Sequence, residues 1–507
     1  LQWSVFGLGE REIWQHLLAT RLDRLTINTL ILLFGVGSGV TVLGVSLAWL
    51  VSMCRFPGRA FFEWALMLPL AIPGYVMAFV YLALFTYAGP VQTQWREWFG
   101  SAGTFPDIRN AWGVITVFTL VLYPYVYMLA RSAFISQGRG MMDASRVLGL
   151  GSTRAFFKVA LPVARPAIAG GIALALMETL ADFGAVSVFN FDTYTTAIYS
   201  AWYQLFNLQV AAQLASLLLT FVLVLLTLEH YSRKQARYHN SHSNQRLQRY
   251  VLPWRRAWLA TGFCSLVLFF AFVIPVLQLL LWVLETGLAE LDSRYFEFLW
   301  HTLTLAAIAA LVTAALALLL GTIKRQRASG AWMTRAVRVA TLGYALPGSV
   351  LAVGIMLVFT GLDHGLDRYF GMRLLLTSSA LALVLAYVTR FLAVAHVPVE
   401  AGFENIRPSM LEASRSLGAT PAQVLRRLTV PMLRPGLLTA VILVFVDVMK
   451  EMPATLIMRP FGWDTLAVRI YTMTAEGEWE RAALPALTLL VAGLLPVVLL
   501  VRSSARR

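Results

Sequence analysis

The sequence predicts an all-α polytopic membrane protein built from two tandem halves in parallel orientation. Of its 507 residues, 58% are hydrophobic and only 13% are charged, which is too apolar for a soluble protein of this length. Many apolar segments reach the length of about 20 residues that crosses a bilayer core of roughly 30 Å. A polar sequence pattern also occurs twice, at a constant offset of 269 residues.

The apolar segments number eleven, and each is expected to be a helix because a backbone in lipid must satisfy its hydrogen bonds within the segment. They lie near 28–53, 62–87, 111–136, 166–189, 208–230, 258–285, 301–323, 338–360, 376–397, 436–458 and 483–503.

The net charge of +15 is distributed in phase with these segments. Loop 232–256 carries seven Lys or Arg and no acid, 324–338 carries five more, and the intervening loops mix both signs. This is the positive-inside pattern, which places 54–61, 137–165, 231–257, 324–337, 398–435 and the C-terminus in the cytoplasm. A surface that binds nucleic acid would not alternate in this way, so membrane lipid and not nucleic acid is the predicted environment.

The repeat divides the chain into two halves. Residues 144–166 align without a gap with 413–435, and "AIPGYVMA" (71–78) matches "ALPGSVLA" (345–352). We therefore predict a first half over 1–231 with five spans, a basic linker over 232–256 and a second half over 257–507 with six spans. Segment 258–285 has no partner; its counterpart would precede residue 1, which predicts twelve helices in a complete protein. A natural five-plus-six arrangement is the alternative.

The second polar copy predicts a helical elbow. Glu412 to Leu417 form a short helix that Gly418 can end, since glycine tolerates the left-handed conformation. Thr420 then serves as N-cap and Pro421 as the first residue of a second helix. That second helix is expected to end near Pro431.

The first copy has Asp143 in place of Glu412, Gly149 in place of Gly418, and Gly151-Ser152 in place of Thr-Pro, so its joint should be looser. An ordinary basic loop is the simpler interpretation. Duplication of the Ala-Ser-Arg-x-Leu-Gly core favours a docking element instead.

The two copies, "DASRVLGLGSTRAFFKVALP" and "EASRSLGATPAQVLRRLTVP", resemble the EAA loop of ABC importer permeases, with Ser at the second Ala. The resemblance covers segments 142–166 and 411–435 and implies the type I importer permease fold, two copies of an ABC ATPase subunit, a periplasmic substrate-binding protein and no cofactor. In that family the elbow docks on the ATPase. The implied ATPase-coupling residues are Asp143, Ala144, Ser145, Arg146, Gly149, Glu412, Ala413, Ser414, Arg415, Gly418, Thr420 and Pro421.

The stretches 177–202 and 447–471, which follow the two elbows, resemble those of fused ferric-iron importer permeases; thiamine importers use a similar fused permease. The chain should be a permease subunit and not an enzyme, since no lysine follows a glycine as a P-loop requires. The resemblance implies the bacterial inner membrane and a cytoplasmic C-terminus. An ATP-independent secondary transporter with inverted repeats is the alternative from another class, disfavoured because both elbows fall on the positive-inside face.

Four carboxylates interrupt the apolar helices after the elbows: Glu178, Asp182, Asp447 and Glu451. Each pair is spaced i, i+4, so both members are expected on one helix face, past the membrane midplane. Ionisable groups there usually face a cavity or a partner, which predicts a pathway lining with oxygen donors suited to hard cations. Two alternatives stay open: Lys450 neutralises one member of the second pair and the charges pack between helices, or the helix breakers Gly184 and Pro453 place the charges at the outer helix end.

Two further features concern the same spans. Pro73 and Pro347, each followed by Gly, break corresponding spans of the two halves and mark either a gate in the pathway or an ordinary kink. Arg131 and Arg390 are expected to snorkel from cytoplasmic helix ends. No metal-ligand spacing is found among the His and Cys residues.

Overall fold

The computed structural model describes residues 15, 19–100, 106–136, 152–234, 249–286, 291–325, 331–371, 376–377, 379–404, 406 and 408–505. The chain divides into two compact units. The first unit comprises Leu1–Leu288 and Tyr471–Leu490, and the second comprises Ala289–Ile470 and Val491–Arg507.

In its described residues the first unit consists of helices and connecting turns, with one two-residue parallel bridge between β1 (Cys54–Arg55) and β2 (Tyr250–Val251). Its helices are α1 (Leu22–Met53), α2 (Arg59–Ala65), α3 (Gly74–Phe85), α4 (Pro90–Phe99), α5 (Ala111–Ser136), α6 (Ser152–Ala155), α7 (Leu161–Ala181), α8 (Gly184–Val188), α9 (Tyr194–Tyr203), α10 (Leu208–Lys234), α11 (Trp254–Leu268) and α12 (Ile274–Thr286).

The core of this unit is formed by α5, which packs on α1 and α7. Glycines bring the three backbones close together at Val126. A Cβ added to Gly44 would lie 2.7 Å from the Cβ of Val126, and one added to Gly171 would lie 2.7 Å from its Cα. Small residues at such contacts are typical of membrane helix packing. The long helix over α11 and α12 packs on α2 and α3 and therefore belongs by contact to this first unit.

The second unit repeats the arrangement. Its helices are α13 (Ser293–Lys324), α14 (Ala331–Ala340), α15 (Gly348–Phe370), α16 (Ala380–Glu404), α17 (Pro408–Ser416), α18 (Pro421–Val424), α19 (Val430–Lys450) and α20 (Pro453–Met458). Two more helices, α21 (Leu466–Ala475) and α22 (Ala483–Ala505), have residues in both units. Here α13, α16 and α19 pack together as α1, α5 and α7 do in the first unit.

Ten helices in the described part of the chain are long and apolar enough to cross a membrane, and the shorter apolar stretch Ala483–Leu495 lies where the eleventh span is predicted. The predicted all-α polytopic fold is confirmed. The predicted span 62–87 is broken, however, into α2, a 3-10 turn at Leu68–Ala71, and α3. The break falls at Pro73, which has no N–H to continue a helix.

The sequence also predicts that the second helix of the second elbow ends near Pro431, and this is wrong. Pro162 and Pro431 lie inside continuous helices. A π-turn precedes each of them, at Phe156–Ala160 and Leu425–Thr429. The wider i to i−5 hydrogen-bonding pattern of a π-turn accommodates the missing proline N–H without ending the helix. The second arm of each elbow is therefore continuous with a membrane helix.

Candidate functional site

Two features that the sequence repeat singles out separately, the Pro-Gly breaks and the carboxylates, meet within each unit. Residues Pro73, Gly74 and Asp182 with helix α8 form what we call the first junction. Residues Pro347, Gly348, Arg390 and Glu451 with helix α20 form the second junction. The two junctions are described separately below.

At the first junction, Pro73 is the N-cap of α3, and Asp182 is the C-cap of α7. The Oδ1 atom of Asp182 accepts hydrogen bonds from the backbone N–H groups of Ala185 (2.8 Å) and Val186 (3.4 Å) at the start of α8. Gly74 lies against the other oxygen: a Cβ at this position would be 3.2 Å from Oδ2 of Asp182. Helix α8 packs on α3. Asp182, which ends α7 and caps α8, therefore links the end of α7 to the start of α3.

At the second junction, Pro347 is the N-cap of α15, and Glu451 is the C-cap of α19. Oε1 of Glu451 accepts from the backbone N–H of Ala454 (3.2 Å) and from Nη1 of Arg390 (3.1 Å). Oε2 accepts from the backbone N–H of Thr455 (3.2 Å), whose hydroxyl also lies 3.1 Å away. The side chain of Glu451 is 2% exposed and that of Arg390 is 11% exposed. This is a closed, buried ion pair.

Gly348 is required by the contact. A Cβ here would collide with Nη1 of Arg390 and Oε1 of Glu451. The proline at 347 restarts the helix, and the glycine that follows leaves room for the ion pair. Both residues of the "LPGS" stretch therefore have a structural reason in this fold.

These contacts correct two of the expectations from sequence. Asp182 and Glu451 do not share a helical face with Glu178 and Asp447, because each helix ends one residue before them; the alternative that placed them at the helix end is confirmed. The two arginines do not snorkel. Arg390 pairs with Glu451, and Arg131 pairs with Glu63 in the first unit. Ionisable side chains within membrane spans commonly pair with one another inside the helix bundle.

The first members of the two carboxylate pairs are partly exposed. Glu178 lies in the last turn of α7, within electrostatic range of Asp182. Asp447 lies in the last turn of α19, within electrostatic range of Lys450. The alternative in which Lys450 offsets one carboxylate thus has support at Asp447. Glu451 is neutralised instead by Arg390.

The second elbow has the predicted turn. Helix α17 ends at Ser416, and Gly418 adopts φ of +80°, in the left-handed region. Thr420 caps the next helix: its Oγ1 accepts from the backbone N–H of Gln423 (3.3 Å), and the Gln423 side chain accepts from the N–H of Thr420 (2.9 Å). Pro421 is the first residue of α18. Reciprocal capping of this kind fixes the angle at which the second arm leaves the joint.

The surface of this elbow is mostly exposed. Glu412, Ala413, Gly418, Thr420 and Pro421 are exposed, and Ser414 is partly exposed. Arg415 lies in α17. The predicted coupling residues of the first copy, Asp143, Ala144, Ser145, Arg146 and Gly149, lie outside the described residues.

The reasoning from sequence named two residues of these sites but missed their roles. The side chain of Leu417 is 87% exposed at the tip of the elbow; its sequence signal is an apolar residue directly before the C-capping glycine. Arg390 has a weaker signal, since its partner lies 61 residues further along the chain. A basic residue inside an apolar span nevertheless requires a countercharge, and this requirement points to the nearby helix ends.

The junctions offer oxygen ligands without a resident metal site. In the part of the chain that the structure describes, no three His, Cys, Asp or Glu side chains are grouped so as to hold a metal ion. The carboxylate and the hydroxyl group grouped at each junction are fewer than the about six to eight oxygen ligands of a tight hard-cation site.

Comparison with known proteins gives a consistent result. The family model described as "Binding-protein-dependent transport system inner membrane component" matches twice, over residues 40–231 and 316–507. The Fe(3+)-transport system permease protein FbpB 2 of Haemophilus influenzae is 29% identical over 487 residues, which cover 95% of this chain and 90% of that protein.

Other relatives match only part of the chain. The molybdenum transport system permease protein ModB of Escherichia coli is 31% identical over 38% of this chain and 79% of its own length. The sulfate transport system permease protein CysT of Escherichia coli is 29% identical over 29% of this chain and 50% of its own length. The relative described for ferric iron thus matches both halves of this chain, whereas ModB and CysT each match less than half of it.

Proposed function

The chain belongs to the family of binding-protein-dependent transport system inner membrane components, and from this premise we propose that it is the permease through which an ABC importer carries ferric iron across the bacterial inner membrane. The observation that carries this proposal is the match to a ferric-iron permease over 95% of the chain. This match extends over both halves and the linker, whereas the EAA-loop resemblance is confined to the two elbows. The C-terminus lies in the cytoplasm in this proposal, as the positive-inside pattern predicts.

The second candidate substrate class is an oxyanion, because relatives described for molybdenum and sulfate also match. The charges at the helix ends favour a cation. Asp182 and Glu178 lie within electrostatic range of one another. A dianion passing these carboxylates would be repelled, whereas a hard cation is attracted to carboxylate oxygens. Thiamine, a third candidate, has no specific support in these contacts.

We propose further that the two elbows bind two copies of an ABC ATPase subunit, and that a periplasmic substrate-binding protein delivers the substrate. The exposed tip at Leu417 supports the first part. A leucine that is 87% exposed in a polar turn keeps apolar surface in water, and docking into a groove of a partner would bury that surface. The continuous helix from Pro421 to Lys450 supplies the lever: a displacement at the joint is transmitted along a rigid element toward Glu451.

In this mechanism the carboxylates Glu178, Asp182, Asp447 and Glu451 and the breaks at Pro73 and Pro347 belong to the substrate pathway. Each elbow leads by one helix, α7 or α19, to a junction in its own unit. The junction in turn joins that helix to a short helix and to a restarted span. Closure of the ATPase dimer would therefore reach both junctions, and alternating access follows from their movement.

The experiment that tests the proposed function is uptake in proteoliposomes that contain this permease, its ATPase subunit and its binding protein. We expect accumulation of ⁵⁵Fe supplied as ferric nitrilotriacetate to the binding protein, dependent on ATP. Molybdate and thiamine are the competing substrates in parallel samples. ATP-dependent uptake of either of these without uptake of iron would overturn the substrate assignment, and uptake without ATP or ATPase would overturn the class.

A further inference from the structure

The carboxylates of the two junctions occupy equivalent positions in the repeat but differ in their contacts. Glu451 is buried, both of its oxygens accept hydrogen bonds, and Arg390 neutralises its charge. Asp182 is partly exposed. Its Oδ1 accepts from two backbone N–H groups. In Glu451 the two corresponding hydrogen bonds are divided between Oε1 and Oε2. The capping role is thus common to both halves, and the rest of the environment is not.

The second oxygen of Asp182 is the open one. Among the residues that the structure describes, no hydrogen bond reaches Oδ2 and no Lys or Arg nitrogen lies within 4.0 Å of the carboxylate. Gly74 places no side chain of its own against Oδ2, where a Cβ would lie 3.2 Å away; the ring of Phe118 lies 3.9 Å from the same position. Glu178 lies within electrostatic range of Asp182 and carries a charge of the same sign.

We propose that Asp182 is the pathway carboxylate that contacts the cationic substrate in transit, through Oδ2. Glu451, at the matching position of the pathway, holds α19, α20 and Arg390 together and is not a substrate ligand, because both of its oxygens already accept hydrogen bonds. The proposal rests on the proposed function and names the pathway residue within it. An uncompensated carboxylate in an apolar surrounding is costly. In the second half, Arg390 offsets the charge of Glu451. In the first half, a passing cation would offset the charge of Asp182, because hard cations prefer oxygen ligands such as carboxylates.

A single open oxygen suits transit better than storage. A hard cation held by one carboxylate oxygen and otherwise by water or a chelator leaves readily, because tight sites use six or more oxygen ligands. The position also fits the lever described above, since Asp182 is fixed to the end of α7 and caps α8. Movement of α7 would therefore move the ligand oxygen.

The capping role and the proposed contact can be separated by substitution. Asp182→Asn keeps an oxygen that accepts from Ala185 and Val186 but removes the charge. Asp182→Glu keeps the charge, and the geometry of Glu451 beside Gly348 is a precedent for a glutamate in this position. Gly74→Ala leaves Asp182 unchanged but places a methyl group against Oδ2. Glu478→Gln is the control, since Glu478 is a carboxylate paired with Arg481 outside the junctions.

The test is ⁵⁵Fe uptake in proteoliposomes with the cognate ATPase and binding protein, with iron supplied as ferric nitrilotriacetate. We expect Asp182→Asn to lower the maximal uptake rate about tenfold, and Gly74→Ala about threefold. The concentration for half-maximal uptake should stay unchanged, because the binding protein sets it. Asp182→Glu should restore uptake to within about threefold of wild type, and Glu478→Gln should match wild type.

ATPase activity and co-purification of the ATPase distinguish the outcomes. Both should persist in Asp182→Asn, since the substitution leaves the elbows unchanged. Uptake at the wild-type rate in Asp182→Asn would overturn the assignment. A parallel loss of uptake, ATPase activity and assembly in all three variants at Asp182 and Gly74 would also overturn it, because that result would indicate a structural role alone. If the wild-type permease imports no ferric iron, the proposed function fails, and the assignment of Asp182 fails with it. If the wild-type permease imports ferric iron and the variants import it at the same rate, only the assignment of Asp182 fails.

Discussion

Substitution of Arg390 by glutamine tests the second junction directly. Arg390 donates to Oε1 of Glu451 at 3.1 Å, and the two side chains are 11% and 2% exposed. Removing the guanidinium leaves a buried carboxylate with two backbone N–H groups and the hydroxyl of Thr455 as its remaining donors. Breaking a buried pair in this way typically costs about 3–5 kcal/mol. Because the remaining donors partly stabilise the charge, we expect about 3 kcal/mol, the lower end of that range.

The measurement is the free energy of unfolding in mixed micelles, from titration with SDS, for Arg390→Gln, Glu451→Gln and the double variant. The double variant should lose less than the sum of the single variants, because it leaves no unpaired charge. Arg481→Gln is the matched control: its pair with Glu478 is 44% and 35% exposed, and we expect a change within about 0.5 kcal/mol. A loss below about 1 kcal/mol for Arg390→Gln, or additive losses in the cycle, would refute the ion pair as a stabilising contact.

Three further predictions concern the elbow. Gly418→Val should lower uptake while ATP hydrolysis continues, because a β-branched residue at φ of +80° costs at least about 1–2 kcal/mol and displaces the joint; equal uptake per ATP hydrolysed in the variant and wild type would contradict this. Leu417→Ala should weaken co-purification of the ATPase about tenfold if the side chain is buried on docking, whereas Leu438→Ala, which is 63% exposed in α19, should not. Thr420→Ala removes the capping box and should cost about 1 kcal/mol, seen as faster hydrogen exchange at the amide of Gln423; unchanged exchange there would show that the cap does not stabilise α18.

Local chemistry made the second elbow predictable from sequence. Glycine at 418, threonine at 420 and proline at 421 each favour one backbone conformation, and together they predict a helix end followed by a helix start. The repeat then supplies the architecture, because a pattern found twice at one offset implies two similar units. The breaks at Pro73 and Pro347 are predictable for the same reason, since proline cannot continue a helix.

Pairing between distant residues could not be predicted in the same way. Arg390 has Glu451 as its partner only because α16 packs on α19, and this contact is not encoded in the local pattern around either residue. The π-turns were missed because a proline in a polar stretch predicts a helix end, whereas the π-turn before Pro162 and before Pro431 lets the helix continue. Nor does the sequence repeat indicate that the helix Trp254–Thr286 packs in the first unit, since that contact is also between distant residues.

The asymmetry between the junctions follows from this limit. In the sequence, Asp182 and Glu451 are equivalent acidic residues at one offset. Their contacts differ because an arginine approaches one of them from another helix and none does so, in the described residues, at the other. A duplicated chain can thus keep the same backbone joint in both halves and assign different electrostatic roles to them.

The most direct test of the central claim is a single uptake measurement. Proteoliposomes with the permease, its ATPase subunit and its binding protein are given ⁵⁵Fe as ferric nitrilotriacetate, with ATP or a non-hydrolysable analogue inside. We expect iron accumulation with ATP and none with the analogue. Accumulation of molybdate but not iron under the same conditions, or iron uptake that is equal with the analogue, would contradict the central claim.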